Sequence, residues 1–320
     1  MKPIKRLLTY IRHIEPTKGA TGLNIIGRRR LWYTVSMGVL VPCVIALGLF
    51  GLRLGIDFKG GAVLEISGSA GRDKALEVAQ SSQLSDLSIT TSGNNWLLRY
   101  HLAGGEGEQA NQAQAKFEKQ LNQAGFKVVR FDQVGPTVSR DLVKSAFLAI
   151  SFMSLAILLY ITYVFRKVPK GISALSFGLA TLVAAFLHDA LFVLGSFAIL
   201  GKFLGVEVDT YIVTAILTVI GFSIHDTVVV FDRIREKVAV TTADFTKTVN
   251  DSINETLARS LNTSLVIILV LLALFLFGGS TTRYFILALL LGMVSGTYSS
   301  IFVASPLLVT WHNRRINREK

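Results

Sequence analysis

Asp226 stands inside a run of membrane-grade hydrophobicity, Tyr211-Ile-Val-Thr-Ala-Ile-Leu-Thr-Val-Ile-Gly-Phe-Ser-Ile-His-Asp-Thr-Val-Val-Val-Phe231. A charged side chain at the centre of a membrane helix costs roughly 2.5–3.5 kcal/mol on insertion scales. A chain that keeps one there uses it as an ion relay, as a counter-ion or as a polar contact between helices. On a helix, Ser223 lies one turn earlier on the same face, His225 is adjacent, and Arg233 follows two turns later. Arg259, Asn262 and Thr263 open the next apolar run at comparable depth, so an approach of Arg259 to Asp226 is expected. Burial raises a carboxyl pKa and a neighbouring guanidinium lowers it, so a carboxylate held between the two can load and release a proton as the arginine approaches or withdraws. A static ion pair or an interhelical hydrogen bond is the other reading of the same residues. His188 and Asp189 form a second polar pair, in the outer half of the preceding run, near the depth from which side chains snorkel. They read either as relay support or as hydrogen-bonded packing.

Other chemistries find little support. Gly195-Ser-Phe-Ala-Ile-Leu-Gly-Lys-Phe203 imitates a phosphate loop. It has one residue too many between its glycines, and Phe203 stands where a magnesium-binding hydroxyl is required. His188-Asp189 and His225-Asp226 are adjacent pairs whose side chains leave a helix about 100° apart, which makes poor metal clamps. No cofactor or metal is expected and no enzymatic activity. Cys43, the one cysteine, lies in an apolar run and reads as a lipid- or helix-packed residue. If the protein does work, an ion gradient is the expected source, worth about 2.3 kcal/mol per charge across 100 mV.

The elements that must position these residues are membrane helices. Charged residues make up 17% of the chain, against about 25% in soluble domains, and the mean hydropathy is +0.51. Six runs are long enough to span a bilayer: 31–52, 142–164, 172–196, 210–231, 261–279 and 284–310. The first reads as a signal anchor, being too long and too far into the chain for a cleavable leader. The net charge of +12 does not point to nucleic acid, because its basic residues cluster beside apolar runs. Segment 1–30, the loops after the second and fourth runs, and the tail 311–320 hold 20 of the 33 lysines and arginines. These segments are therefore expected in the cytoplasm with both termini, which puts the insert 53–141 outside. The basic leader is assigned only orientation and contact with anionic lipid.

The insert reads as a small α+β domain. Ala62-Val-Leu-Glu-Ile-Ser67 alternates as a strand, 72–81 as a helix, and 87–90 and 96–101 as strands around a Gly93-Asn94-Asn95 turn. A helix over 108–124 ends at the capping Gly125, and 126–133 closes the set. The order β-α-β-β-α-β is that of a ferredoxin-like split unit. His101 reads as a surface or strand-edge residue. A binding role for the sheet, toward a polypeptide or a partner domain, is expected in preference to catalysis.

At these residues the chain resembles the SecF family, membrane subunits that partner SecD in bacterial protein export. Gly55-Ile-Asp-Phe-Lys-Gly-Gly61 resembles the family signature after the first span, with Gly55, Asp57, Gly60 and Gly61 at its defining positions. Val134-Gly-Pro-Thr-Val-Ser139 is similar to the segment leading into the second span. The longest match is Ile220-Gly-Phe-Ser-Ile-His-Asp-Thr-Val-Val-Val-Phe-Asp-Arg-Ile-Arg-Glu236, which includes Asp232 and Arg233. It is continued by Ser252-Ile-Asn-Glu-Thr-Leu-Ala-Arg-Ser-Leu-Asn-Thr-Ser264.

The resemblance implies that Asp226 and Arg259 serve proton use. It also implies an α-helical polytopic protein of the bacterial inner membrane, equivalent to half of a resistance-nodulation-division transporter. A SecD-like homologous subunit would supply the other half. Further partners implied are a SecYEG-type channel, an accessory insertase, unfolded preprotein and membrane lipid. His225 departs from the family, where asparagine is commoner. A structural assembly subunit without ion relay and a small-molecule exporter of the same superfamily are the rival readings, and sodium in place of protons stays open.

Overall fold

The computed structural model describes residues 22–68, 71–82, 84–92, 95–101, 108–168 and 172–319. Most of the basic leader, the Gly93-Asn94 part of the expected turn and the His101 side chain lie outside the described residues.

In chain order, α1 (Arg29–Phe50) leads to a short helix α2 (Ile56–Lys59) and then to β1 (Gly61–Gly68), α3 (Arg72–Ser81), β2 (Ser85–Ser92), β3 (Asn95–His101), α4 (Glu108–Gln123) and β4 (Phe126–Val134). There follow α5 (Pro136–Val164), α6 (Ala174–Leu204), α7 (Thr210–Val240), α8 (Phe245–Phe277) and α9 (Arg283–Arg318). Among the described residues, α1 and α5–α9 are the six helices long and apolar enough to cross a membrane. Helices satisfy every backbone polar group internally, which is what a hydrocarbon environment demands.

The small domain has the β-α-β-β-α-β order expected from the sequence, with an antiparallel sheet ordered β2-β3-β1-β4. Alternation along β1 puts Ala62, Leu64 and Ile66 under the two helices, where they meet Leu98, Phe117, Leu121 and Phe126. The buried Tyr100 donates to Gln114 at 2.5 Å, so its hydroxyl is satisfied, and burial pushes its phenol pKa upward. Gly125 turns α4 into β4 at φ +89°, a conformation glycine adopts without Cβ strain.

Helices α5–α9 outrun the apolar segments that announced them, α8 by the most. α8 begins at Phe245, well ahead of the run expected from 261. Its polar first half is helical because Asp244 caps it, accepting from the Thr246 N–H at 3.0 Å. The hydroxyls of Thr248, Ser252 and Thr256 donate to carbonyls four residues back. Satisfied locally, these residues are buried against α7 without cost from orphaned polar groups. α7 likewise continues to Val240, and Arg233 and Lys237 on it both reach Glu255 of α8.

Small residues bring the helices together. On α9, an added Cβ at Gly292 would overlap the Val219 side chain, and one at Gly296 would sit 3.0 Å from the Ser223 Cβ, both on α7. Gly195 of α6 leaves room for Cys43 of α1, which is buried at a helix contact. Close approach through small residues is the usual means of association where lipid removes the hydrophobic drive. Two helices contain wide, π-type turns: Val183–Ala190 in α6 and Ser300–Ala304 in α9.

The end of the basic leader has a structural role that the sequence reading did not assign. Ile25 and Ile26 are buried in the bundle core. Asn250 of α8 accepts from the Ile26 N–H at 3.1 Å, and Asn254 donates to the Leu23 carbonyl at 2.9 Å. The turn before α1 is thus docked on α8.

Candidate ion-coupling site

Asp226 sits midway along α7, 7% exposed. Its Oδ2 accepts from Ser264 Oγ of α8 at 3.1 Å. Its Oδ1 is 3.7 Å from Nδ1 of His225, whose own side chain is 69% exposed. The carboxylate lines a cavity of about 410 Å³ together with Thr218, His225, Thr263, Ser264 and Met293.

Arg259 does not meet Asp226 in this conformation. It is exposed, and Ser264 occupies the place expected for it. The physical reason is helix phase: five residues separate the two on α8, which turns Arg259 about 140° away from the face that carries Ser264. Asn262 is exposed, and Thr263 donates to the Arg259 carbonyl.

Asp189, expected near snorkelling depth either as relay support or as hydrogen-bonded packing, is wholly buried within the wide turn of α6. Its Oδ2 accepts from Ser223 of α7 at 2.6 Å and from Ser299 of α9 at 2.8 Å. Its Oδ1 accepts from Ser295 of α9 at 2.7 Å and lies 3.0 Å from His188 Nδ1. Adjacent side chains, expected to diverge, here converge. Ser223 therefore belongs to the Asp189 cluster rather than to Asp226. A second hydroxyl layer follows, in which Thr227 donates to Ser300 and Ser300 donates to the Ser223 carbonyl. Ser264, Ser295, Ser299 and Ser300 were not singled out in the sequence. The signal for the three on α9 was the spacing Gly292, Gly296, Ser299, a small-residue face in an apolar run.

The Gly55–Gly61 segment acts as a joint. Leu54 bridges Val208, and the Gly55 N–H donates to the Val208 carbonyl at 2.8 Å. Asp57 accepts from the Thr210 N–H at 2.8 Å and so caps the helix that carries Asp226. Gly60 and Gly61 turn into β1 at φ +77° and +117°, a region side chains disfavour. Beside them, Glu207 binds Arg53 at 3.3 Å and Arg99 of β3 at 2.9 Å, which ties the small domain to the bundle. Asp209 also caps α7, accepting from Ile212 N–H at 3.0 Å. Its burial, with Asp57 nearby, raises its pKa above the usual carboxylate range. At the far end of α7, Asp232 pairs with Arg235, and Arg233 pairs with Glu236 and Glu255. These are half-exposed charges that orient the helix end and lie away from Asp226. Among the described residues no cluster of metal-binding side chains occurs.

Fold and site together define a polytopic membrane protein whose polar chemistry is gathered at helix interfaces, with one small α+β domain inserted after the first span. Residues 113–314 match the family of protein export membrane proteins SecD/SecF, C-terminal part, and residues 45–69 match the SecD/SecF GG motif. The protein translocase subunit SecF of Thermobaculum terrenum is 43% identical over 91% of this chain and 95% of its own length. That of Anaerolinea thermophila is 40% identical over 91% of this chain and 94% of its own. The chain thus belongs to the SecD/SecF family, on its SecF branch. The crystal structure of SecDF from Thermus thermophilus, a translocon-associated membrane protein, superposes with a TM-score of 0.77 at 29% identity. The match covers 91% of this chain and only 39% of that one. SecDF in its super-membrane-facing form gives 0.65, covering 93% of this chain and 40% of the other.

Proposed function

We propose that this protein is an accessory subunit of the Sec translocon that works with a SecD-like subunit and uses the proton motive force to promote preprotein translocation. The observation that carries the reading is Asp226: a buried carboxylate at a cavity, held by one serine and reached by a half-free histidine. Such a group can take up a proton from the cavity side and pass it on when α7 and α8 shift. In this scheme Arg259 swings toward Asp226 in another conformation and expels the proton, and the structure described is the arginine-withdrawn state. His225, Thr263 and Asn262 would line the proton's approach, and the Asp189 cluster would support the relay.

The reading extends to placement. Both termini would face the cytoplasm of a bacterial cell and the bundle would lie in its inner membrane. The small domain, a ferredoxin-like unit on the periplasmic face, would guide unfolded preprotein emerging from a SecYEG-type channel, with an accessory insertase as a further neighbour. The Glu207 and Asp57 contacts would link its movement to α7. A structural assembly role is favoured by one observation, the fully satisfied Asp189, which is how a fixed interhelical tie would look. The deciding experiment is ion flux in vesicles containing this chain with its SecD-like mate. Asp226→Asn, which keeps an acceptor for Ser264, is expected to lower proton flux at least tenfold with assembly intact. Unchanged flux would leave the structural reading, and flux that follows sodium would reassign the ion.

A further inference from the structure

Four polar groups converge on Asp189, and they leave one polar atom over. An ionised carboxylate only accepts hydrogen bonds, so with Ser223, Ser295 and Ser299 donating to it we assign the hydrogen of the fourth partner, His188, to Nδ1, which also lies 3.3 Å from Ser295 Oγ. In the neutral ring the lone pair is then on Nε2. That Nε2 is buried and has no hydrogen-bond partner among the described residues. A buried acceptor left bare is rare in native structures and calls for an explanation. The pair also sits in the wide turn of α6, and the wide turn of α9 starts at Ser300, directly after Ser299. Such turns recur at functional sites.

We propose that His188 is a second proton-binding residue of the bundle, with Asp189 as the residue that positions it. Nε2 takes up one proton to give an imidazolium lying against the Asp189 carboxylate, and gives the same proton back; no other bond is made or broken. Before uptake the pair carries one buried negative charge. After uptake it is a neutral ion pair whose two charges are in contact, the form a low-dielectric interior tolerates better. Titratable side chains on the packed helices include Tyr298 of α9, Asp226 and His225 of α7, and Tyr33 and Cys43 of α1. Tyr298 stacks on the His188 ring with centroids 5.5 Å apart, its hydroxyl turned to the Trp32 carbonyl and Ser36. Asp226 lies one turn beyond Ser223 and faces α8. None of them supplies a hydrogen bond to Nε2.

This inference deepens the ion-coupling reading, yet its test examines the imidazole itself and stands whether or not Asp226 carries flux. The full chain, labelled with nitrogen-15 histidine, is placed in lipid vesicles and studied by solid-state NMR between about pH 8 and about pH 5, the window in which histidine switches charge. The His188 signals are those lost in His188→Asn, which retains an amide donor at the Nδ1 position but has no basic nitrogen. The expected result is a bare Nε2 at the upper pH that is lost on acidification and replaced by a protonated nitrogen, while Nδ1 stays protonated throughout. An Nε2 that stays bare down to the lowest pH, or one already protonated at the highest, overturns the proposal and reduces the cluster to a fixed tie between helices.

Discussion

Ser223 of α7 donates to Asp189 of α6 across 2.6 Å, and the next acid along α7, Asp226, turns the other way and is held by α8. One helix therefore presents two polar faces to two different neighbours. A displacement of α7 cannot alter one contact without altering the other.

Ser264 is the single serine donor to Asp226 in the described contacts. Removing it leaves a buried carboxylate oxygen short of a partner, a loss of about 1–3 kcal/mol when the charged form is required. Ser264→Ala should lower proton flux while leaving complex assembly with the SecD-like subunit unchanged, and Ser264→Thr should restore most of it. Flux assays alongside co-purification check both.

The α7–α9 contact depends on the missing Cβ at Gly292. Gly292→Ala would force the Val219 side chain aside, and overpacking of this kind costs about 1–3 kcal/mol. The thermal midpoint in detergent should fall. Val219→Ala, added to it, should recover more than half of the loss, because the pair shares one space.

Asp209 provides a pH signature. Its carboxyl is raised first by burial, with Asp57 adding to the effect and backbone donors opposing it. A raised folded-state pKa means the folded form binds a proton that the unfolded form releases. The stability it contributes is complete below the unfolded value of about 3.9 and is lost as pH climbs through the folded value. Asp209→Asn still caps α7 but does not titrate. The thermal midpoint of the variant, relative to the native chain, should rise as pH is taken from about 4 upward and then level off. A gap independent of pH would show that the carboxyl is not raised.

The docked turn before α1 relies on Asn250 and Asn254. Replacing both with alanine removes the partners of the Ile26 N–H and the Leu23 carbonyl. Amide exchange over residues 22–28 should then speed up by at least tenfold, with exchange in α5 unchanged, as measured by mass spectrometry on the membrane-embedded chain.

Much of this architecture was legible beforehand, for physical reasons. Apolar runs of bilayer length can form little besides spanning helices, and the alternation of Ala62, Leu64 and Ile66 can suit only a one-sided sheet. Asp226 was legible because an acid in such a run is costly. What escaped the sequence was direction and partnership. Arg259 falls at the right depth, but helix phase, which depends on packing, turns it outward. Asp189 read as a shallow residue because its three serine partners come from two other helices, and serines in apolar runs carry no mark of which carboxylate they will meet. The helical stretch ahead of 261 escaped because Thr, Ser and Asn usually signal loops, and here their side chains bond to the preceding turn.

The widened turn of α6 has a consequence for how this helix tolerates change in length. A π-type turn is what a regular helix becomes when it accommodates a surplus residue. Excising one position between Val183 and Phe186 would let the helix revert to regular winding. It would also rotate the carboxylate by about 100°, out of the ring of hydroxyls. The irregularity is in this sense a gauge of register: the chain keeps an extra link so that one acid points inward.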